Sequence, residues 1–183
     1  MTKPRKNNVT RLSRKRSAQR ARGWFFADVA TWPYQPRGIL FGQARPDSCV
    51  AACCRMLLED AGIEQPEAFI RAALKINEGA FLSQVPDTLK TFGLSTTYEY
   101  RRDLTIDELR DAVKDYPAMV YVARPGEVFG HALVVDEVNV DGVRLRDPLP
   151  INLGRAYRVA LDDFLPLWRA AQTGFGRAVI VVD

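Results

Sequence analysis

Gln43-Ala44-Arg45-Pro46-Asp47-Ser48-Cys49 is the stretch on which the reading of this chain turns. A loop carrying Pro46 gives way to a helix at Cys49. Asp47 or Ser48 can cap that helix and Gly62 is a natural stop, so the pattern predicts a helix from about Cys49 to Ala61. A cysteine that opens a helix feels the partial positive charge of first-turn backbone N–H groups without partners, and that charge favours thiolate over thiol. Cys49, Cys53 and Met56 share one face.

Outward from this helix, Pro66 to Ile76 repeats the helical pattern with Phe69, Ile70, Ala73 and Leu74, and a short helix from about Gln84 to Phe92 ends before Gly93. Thr105 with Glu108 makes a capping box for a fourth helix, Ile106 to Asp115, set between a strand near Ser95 to Tyr100 and another at Ala118 to Ala123. After Gly130 the pattern changes to strands at His131 to Val138, Val143 to Asp147 and Arg177 to Val182, with a helix from about Leu161 to Ala171 between the last two. Helices come first and a sheet follows. The fold class is therefore α+β, with the N-terminal helices packed on an antiparallel β-sheet.

The 183 residues, 47% of them hydrophobic, are enough for one domain with a real core. The net charge of +4 misleads about that domain. Of 26 Lys and Arg, nine fall in residues 1–22, a stretch with no acid, so 17 basic residues face 22 acidic ones in the remainder. Residues 1–22 have too little apolar surface to offset the entropy of ordering and read as a basic disordered tail. Such a tail gives salt-sensitive, sequence-blind attraction to nucleic acid. Residues 23–39, with Trp24, Trp32, Pro33, Tyr34 and Pro36, read as an irregular lead-in, and residues 40–183 as the folded domain.

Three cysteines cannot form a disulfide framework without an odd thiol, and no Cys/His pattern supplies four zinc ligands, so neither metal nor cofactor is expected. The run Gly23-Trp24-Phe25-Phe26-Ala27 is broken by Asp28, which excludes a signal-peptide core, and no stretch approaches the roughly 20 apolar residues that span a bilayer. The expectation is a reduced, cytoplasmic chain without a membrane partner.

Thiol chemistry on a carbonyl needs a nucleophile, a base that takes and returns its proton, a group that orients the base, and donors for the developing oxyanion. One set of residues answers: Cys49 as nucleophile, the single histidine His131 as base and acid, Asp147 as the orienting carboxylate, and Gln43 as an oxyanion donor beside the Cys49 N–H. Taken one at a time, each reads as a core or turn residue. Together, Gln43 to Ser48, Cys49 to Met56, Gly130 to Val135 and Arg146-Asp147-Pro148 resemble the papain-like cysteine peptidases of the bacteriocin-leader-processing, double-glycine type, over roughly residues 40–183.

The resemblance implies a papain-like fold and a Cys-His-Asp triad acting on a protein substrate. It also shows departures: Ser48 and Val50 stand where that family commonly has an acid and a glycine, and no Gly-Gly pair occurs in the chain. Standalone versions of the fold resemble toxin domains of bacterial competition, which implies an effector delivered by a specialised secretion system and restrained by an immunity protein over the cleft. The same triad also serves transglutaminase or deamidase chemistry, and a silent site would leave a binding module.

One geometric expectation follows from the triad. A tight hairpin turn at Asp141-Gly142 would pair Asp147 with Asp136, five residues and about 16 Å from His131. A wider loop centred near Asn139 sets His131 opposite Asp147 and is the preferred reading, with a bulge as the other way to the same correction.

Overall fold

The strand His131–Asn139 is buried without a break from His131 to Asp136, and a strand buried on both sides needs a layer of helices on each face of its sheet. The computed structural model describes residues 23–77, 79–127, 129–169 and 176–182. The basic stretch 1–22 and the end of the helix expected to reach Ala171 lie outside the described residues. Seven strands form one antiparallel sheet: β1 Thr31–Pro33, β2 Tyr98–Leu104, β3 Ala118–Val122, β4 His131–Asn139, β5 Gly142–Asp147, β6 Arg155–Val159 and β7 Gly176–Val181, in the order β1-β6-β5-β4-β3-β7-β2.

Helices α1 Cys49–Asp60, α2 Glu67–Ala73 and α3 Val85–Thr91 cover one face. Cys53, Leu57, Ile70 and Leu89 pack there against Met119, Ala132, Val134 and Val179. The opposite face is closed by α4 Ile106–Ala112 and α5 Leu161–Arg169, whose Leu109, Phe164 and Trp168 meet Val120, Leu133, Leu145 and Tyr157. The α+β architecture with N-terminal helices on an antiparallel sheet is as the sequence predicts, and the second helical layer is an addition to it. Among the described residues no helix is long and apolar enough to cross a membrane.

Two strands escaped the sequence pattern. β1 is three residues long and contains Pro33, which restricts it to an edge, where it pairs with β6. β6 turns only Tyr157 and Val159 fully into the core. The strand expected near Ser95 to Tyr100 runs instead over Tyr98–Leu104, because the charged run Arg101-Arg102-Asp103, tolerated on an edge strand, hides its outer half from an apolar pattern. The lead-in segment also reaches inward: Phe26 is fully buried in the core beside Phe164 and Tyr157.

The β4–β5 connection corrects the preferred reading of a wide loop. Asn139 pairs with Gly142 and Val138 with Val143, so the turn is tight, with Val140 and Asp141 at its tip. The register then shifts between Val135 and Glu137, which makes Asp136 a bulge. The shift decides which side chains share a face, because one residue of slip flips every side chain beyond it. Val138 and Val135, three apart, both enter the same core as Leu145 and Val143. Carried on from Val134 opposite Arg146, the register sets Asp147 across from Leu133, on the side of His131.

Arg146 pins the bulge. Fully buried, it donates to Asp136 from Nε at 3.0 Å, to Asp60 at the end of α1 at 2.6 and 3.0 Å, and to the Ile39 carbonyl at 2.8 Å. Tyr34 donates its hydroxyl to the other Asp136 oxygen at 2.5 Å.

Candidate active site

Cys49 is the first residue of α1 and is partly exposed. Ser48 occupies the N-cap position, yet its side chain makes no cap bond. Its Oγ accepts from Arg71 of α2, and the same guanidinium clamps Asp47 at 3.0 and 3.1 Å. One turn earlier on α2, Glu67 takes the Ala44 N–H at 3.0 Å. Residues Ala44 to Ser48 are thus held by α2, and the first-turn donors of α1 stay uncapped. The Val50 and Ala132 N–H groups are near enough to the Cys49 sulfur to favour its thiolate.

His131 opens β4 and is nearly buried. Its Nε2 lies 2.7 Å from Asp147 Oδ1, which leaves Nδ1 as the ring nitrogen for Cys49, whose sulfur and the imidazole shift each other. Asp147 is fully buried and meets four donors: His131, the Leu149 N–H at 2.8 Å, the Tyr157 hydroxyl at 2.7 Å and the Phe25 N–H at 2.7 Å. Four donors on two oxygens complete the acceptor capacity of a carboxylate.

Burial alone would push the Cys49 thiol up, but the hydrogen bond and charge of His131, with the two backbone donors, bring it below its ordinary value. Burial works against the charged imidazole too. The Asp147 carboxylate and the Cys49 sulfur outweigh it and raise His131 to about 10. Both shifts point to a thiolate facing an imidazolium. Cys53 and Cys54, fully buried on the same helix, are pushed up by burial and are packing residues.

Gln43 is buried and tied to the loop after Asp147: its N–H donates to the Pro148 carbonyl at 2.9 Å, and its own carbonyl accepts from Asn152 at 2.9 Å. Its Nε2 donates to the Arg45 carbonyl at 2.6 Å while Oε1 has no partner. Only the NH₂ end can face a carbonyl, which fixes the amide's orientation and leaves Nε2 a second hydrogen to give.

Sequence reasoning missed Phe25, Tyr157 and Arg124. The Phe25 ring lies nearly parallel to the imidazole, 12° between planes and 5.6 Å between centroids. Arg124 holds this residue by donating to its carbonyl at 2.8 Å, sits over its ring at 5.2 Å, and pairs with Asp28. No local pattern could have revealed these partners, which lie 10 to 122 residues from what they touch. Among the described residues, no group of three or more His, Cys, Asp or Glu is arranged to hold a metal ion.

No family model and no curated protein matches the sequence. Solved structures do match. The peptidase domain of Streptococcus ComA, a bifunctional ABC transporter of a quorum-sensing pathway, superposes with a TM-score of 0.61 at 22% identity, over 78% of this chain and 96% of that one. A double-glycine-motif protease from an AMS/PCAT transporter, solved in complex with its leader peptide, gives 0.60 at 16% identity, over 80% and 92%. A protein from Bacillus anthracis described as C39-like peptidase gives 0.61 at 17% identity, over 80% and 98%. The chain therefore has the papain-like fold of the C39 double-glycine peptidase domains, the type its sequence resembles.

Proposed function

We propose that this protein is a cysteine endopeptidase in which Cys49 is the nucleophile, His131 the base and acid, Asp147 the orienting carboxylate, and Gln43 with the Cys49 N–H the oxyanion donors. The observation that carries the reading is the buried 2.7 Å hydrogen bond between His131 and Asp147, with the Cys49 sulfur at the start of its helix close enough to the imidazole for each to shift the other. The Cys49 thiolate attacks the scissile carbonyl carbon, a C–S bond forms, and the oxyanion takes hydrogen bonds from Gln43 and the Cys49 N–H. Collapse of the tetrahedral intermediate breaks the C–N bond as His131 protonates the leaving amine. Neutral His131 then deprotonates a water that attacks the thioester, the acid product leaves, and thiolate and imidazolium are restored.

Asp147 keeps the ring oriented throughout, and Phe25 and Tyr157 keep Asp147 in place. Incubation with a protein extract tests the reading: new chain termini made by the wild type and not by Cys49→Ala support it. Cross-links or deamidated glutamines in place of new termini would assign the same triad to acyl transfer instead. The role as an effector acting on an intracellular protein of a rival cell, with an immunity protein over the cleft, rests on resemblance alone. Growth arrest of cells expressing the wild type but not Cys49→Ala is its first test.

A further inference from the structure

Cys53 follows Cys49 by four residues on α1, so the two side chains lie one turn apart on the same face of the helix. Cα atoms so spaced are about 6 Å apart, inside the range that a disulfide bridges. Cys49 is partly exposed and packs on the buried cluster to which Cys53 belongs, so solvent reaches the first sulfur and not the second. The two are near enough for charge on Cys49 to oppose ionisation of Cys53. Cys54 lies about 100° further round the helix, and burial and its own backbone set its ionisation, with nothing from Cys49.

A disulfide also needs its Cβ atoms about 4 Å apart, closer than a regular helix sets them. The start of α1 is where that approach costs least. Cys49 is the first helical residue, Ser48 gives it no side-chain cap, and its N–H has no partner within the helix. Only the Cys49 carbonyl ties the residue into the helix ladder, so its movement toward Cys53 gives up a single intrahelical bond.

We propose that Cys49 and Cys53 are a redox pair, in which a peroxide converts the nucleophile into a reversible disulfide and switches the site off. The Cys49 thiolate attacks one peroxide oxygen, an S–O bond forms, the O–O bond breaks, and the departing hydroxide takes a proton from His131 to become water. Cys49 is then an uncharged sulfenic acid, and the charge that opposed ionisation of Cys53 is gone. The Cys53 sulfur attacks the Cys49 sulfur, an S–S bond forms, the S–O bond breaks, and hydroxide leaves with the Cys53 proton as a second water. Each sulfur is oxidised by one electron, and the peroxide takes both. A dithiol reductant restores the two thiols. Cys53, a packing residue in the reduced chain, thereby also shields Cys49 from irreversible oxidation. As regulation this rests on the peptidase reading, and its test is read by mass so that the two can fail separately.

The full chain is treated with a small molar excess of hydrogen peroxide, and its intact mass and the alkylation of Cys49 by iodoacetamide are followed. The wild type is expected to lose about 2 Da, to stop reacting with iodoacetamide, and to recover both on addition of dithiothreitol. Cys54→Ala should behave as the wild type does, and Cys49→Ala should lose no mass. Cys53→Ala should keep its alkylation rate before peroxide, which reports an intact site. After peroxide it should gain about 32 Da as sulfinic acid, and its recovery with dithiothreitol should fall about tenfold. In Cys54→Ala only Cys49 and Cys53 remain, so its mass alone decides the pairing if Cys53→Ala fails to fold. Oxygen adducts in place of the mass loss, a disulfide-linked dimer, or the same loss in Cys49→Ala or Cys53→Ala overturns the proposal. A disulfide in a chain whose reduced form cuts no protein counts against the peptidase reading and leaves the redox pair standing.

Discussion

The backbone N–H of Phe25 donates to Asp147 across 122 residues of sequence, at 2.7 Å. The Phe25 ring covers the imidazole that the other Asp147 oxygen holds. A segment that precedes the first helix thus closes the site from behind.

Truncation separates the parts of that segment. Removing residues 1–22 leaves every contact above in place and is expected to leave Cys49 alkylation and the thermal midpoint unchanged. Removing residues 1–29 takes away a donor to a buried carboxylate, about 1.5–3 kcal/mol, and the fully buried Phe26 side chain, about 3–5 kcal/mol. A large fall in urea midpoint and in alkylation rate is expected for the second deletion alone. Equal behaviour of the two would show that Phe25 and Phe26 do not support the site.

The opposed shifts of Cys49 and His131 fix the pH dependence. The ion pair persists from the lowered Cys49 value up to about 10, so iodoacetamide should label Cys49 faster than an ordinary thiol at the same pH, with the rate falling as pH drops through that lowered value. His131→Ala removes the counter-charge and leaves burial to raise the thiol. Less than about 1% thiolate then remains at pH 7, and labelling should slow by roughly a hundredfold. The stability His131 gains from its partners is present in full below about 6.5 and is lost as pH rises through about 10. Unfolding curves of wild type and His131→Ala across that range measure it.

Gly130 has no room for a side chain. A Cβ there would lie 2.3 Å from the Val122 carbonyl oxygen and 2.5 Å from the Tyr121 ring. Gly130→Ala must therefore move the start of β4, and His131 with it, at a cost of about 1–3 kcal/mol. Labelling of Cys49 should slow by more than this loss of stability explains, as parallel unfolding and alkylation measurements would reveal.

The bulge depends on Arg146. Arg146→Leu leaves the buried Asp136 and the Asp60 carboxylate without their cation, at a cost of about 3–5 kcal/mol by denaturant unfolding. Adding Asp136→Asn should recover part of that loss. An Arg146→Leu chain as stable as wild type would contradict this role.

The sequence made visible what local chemistry writes into it. Thr105 and Glu108 form the expected capping box, and Gly62 and Gly93 follow their helices with positive φ. Cys49 starts its helix, and His131 and Asp147 sit at the expected ends of their strands. What stayed hidden depends on distant partners. The bulge at Asp136 is set by Arg146, Asp60 and Tyr34, and no turn signal announces it. Ser48 looks like a cap in sequence but is bonded to Arg71, and Tyr157 looks like any alternating strand residue until Asp147 is found beside it.

The most direct test of the central claim is a survey of new chain termini in a protein extract treated with wild type or with Cys49→Ala. The account expects a set of cleavage products from the wild type alone, lost equally in His131→Ala and reduced by about two orders of magnitude in Gln43→Ala. The same products from the Cys49→Ala chain would contradict it.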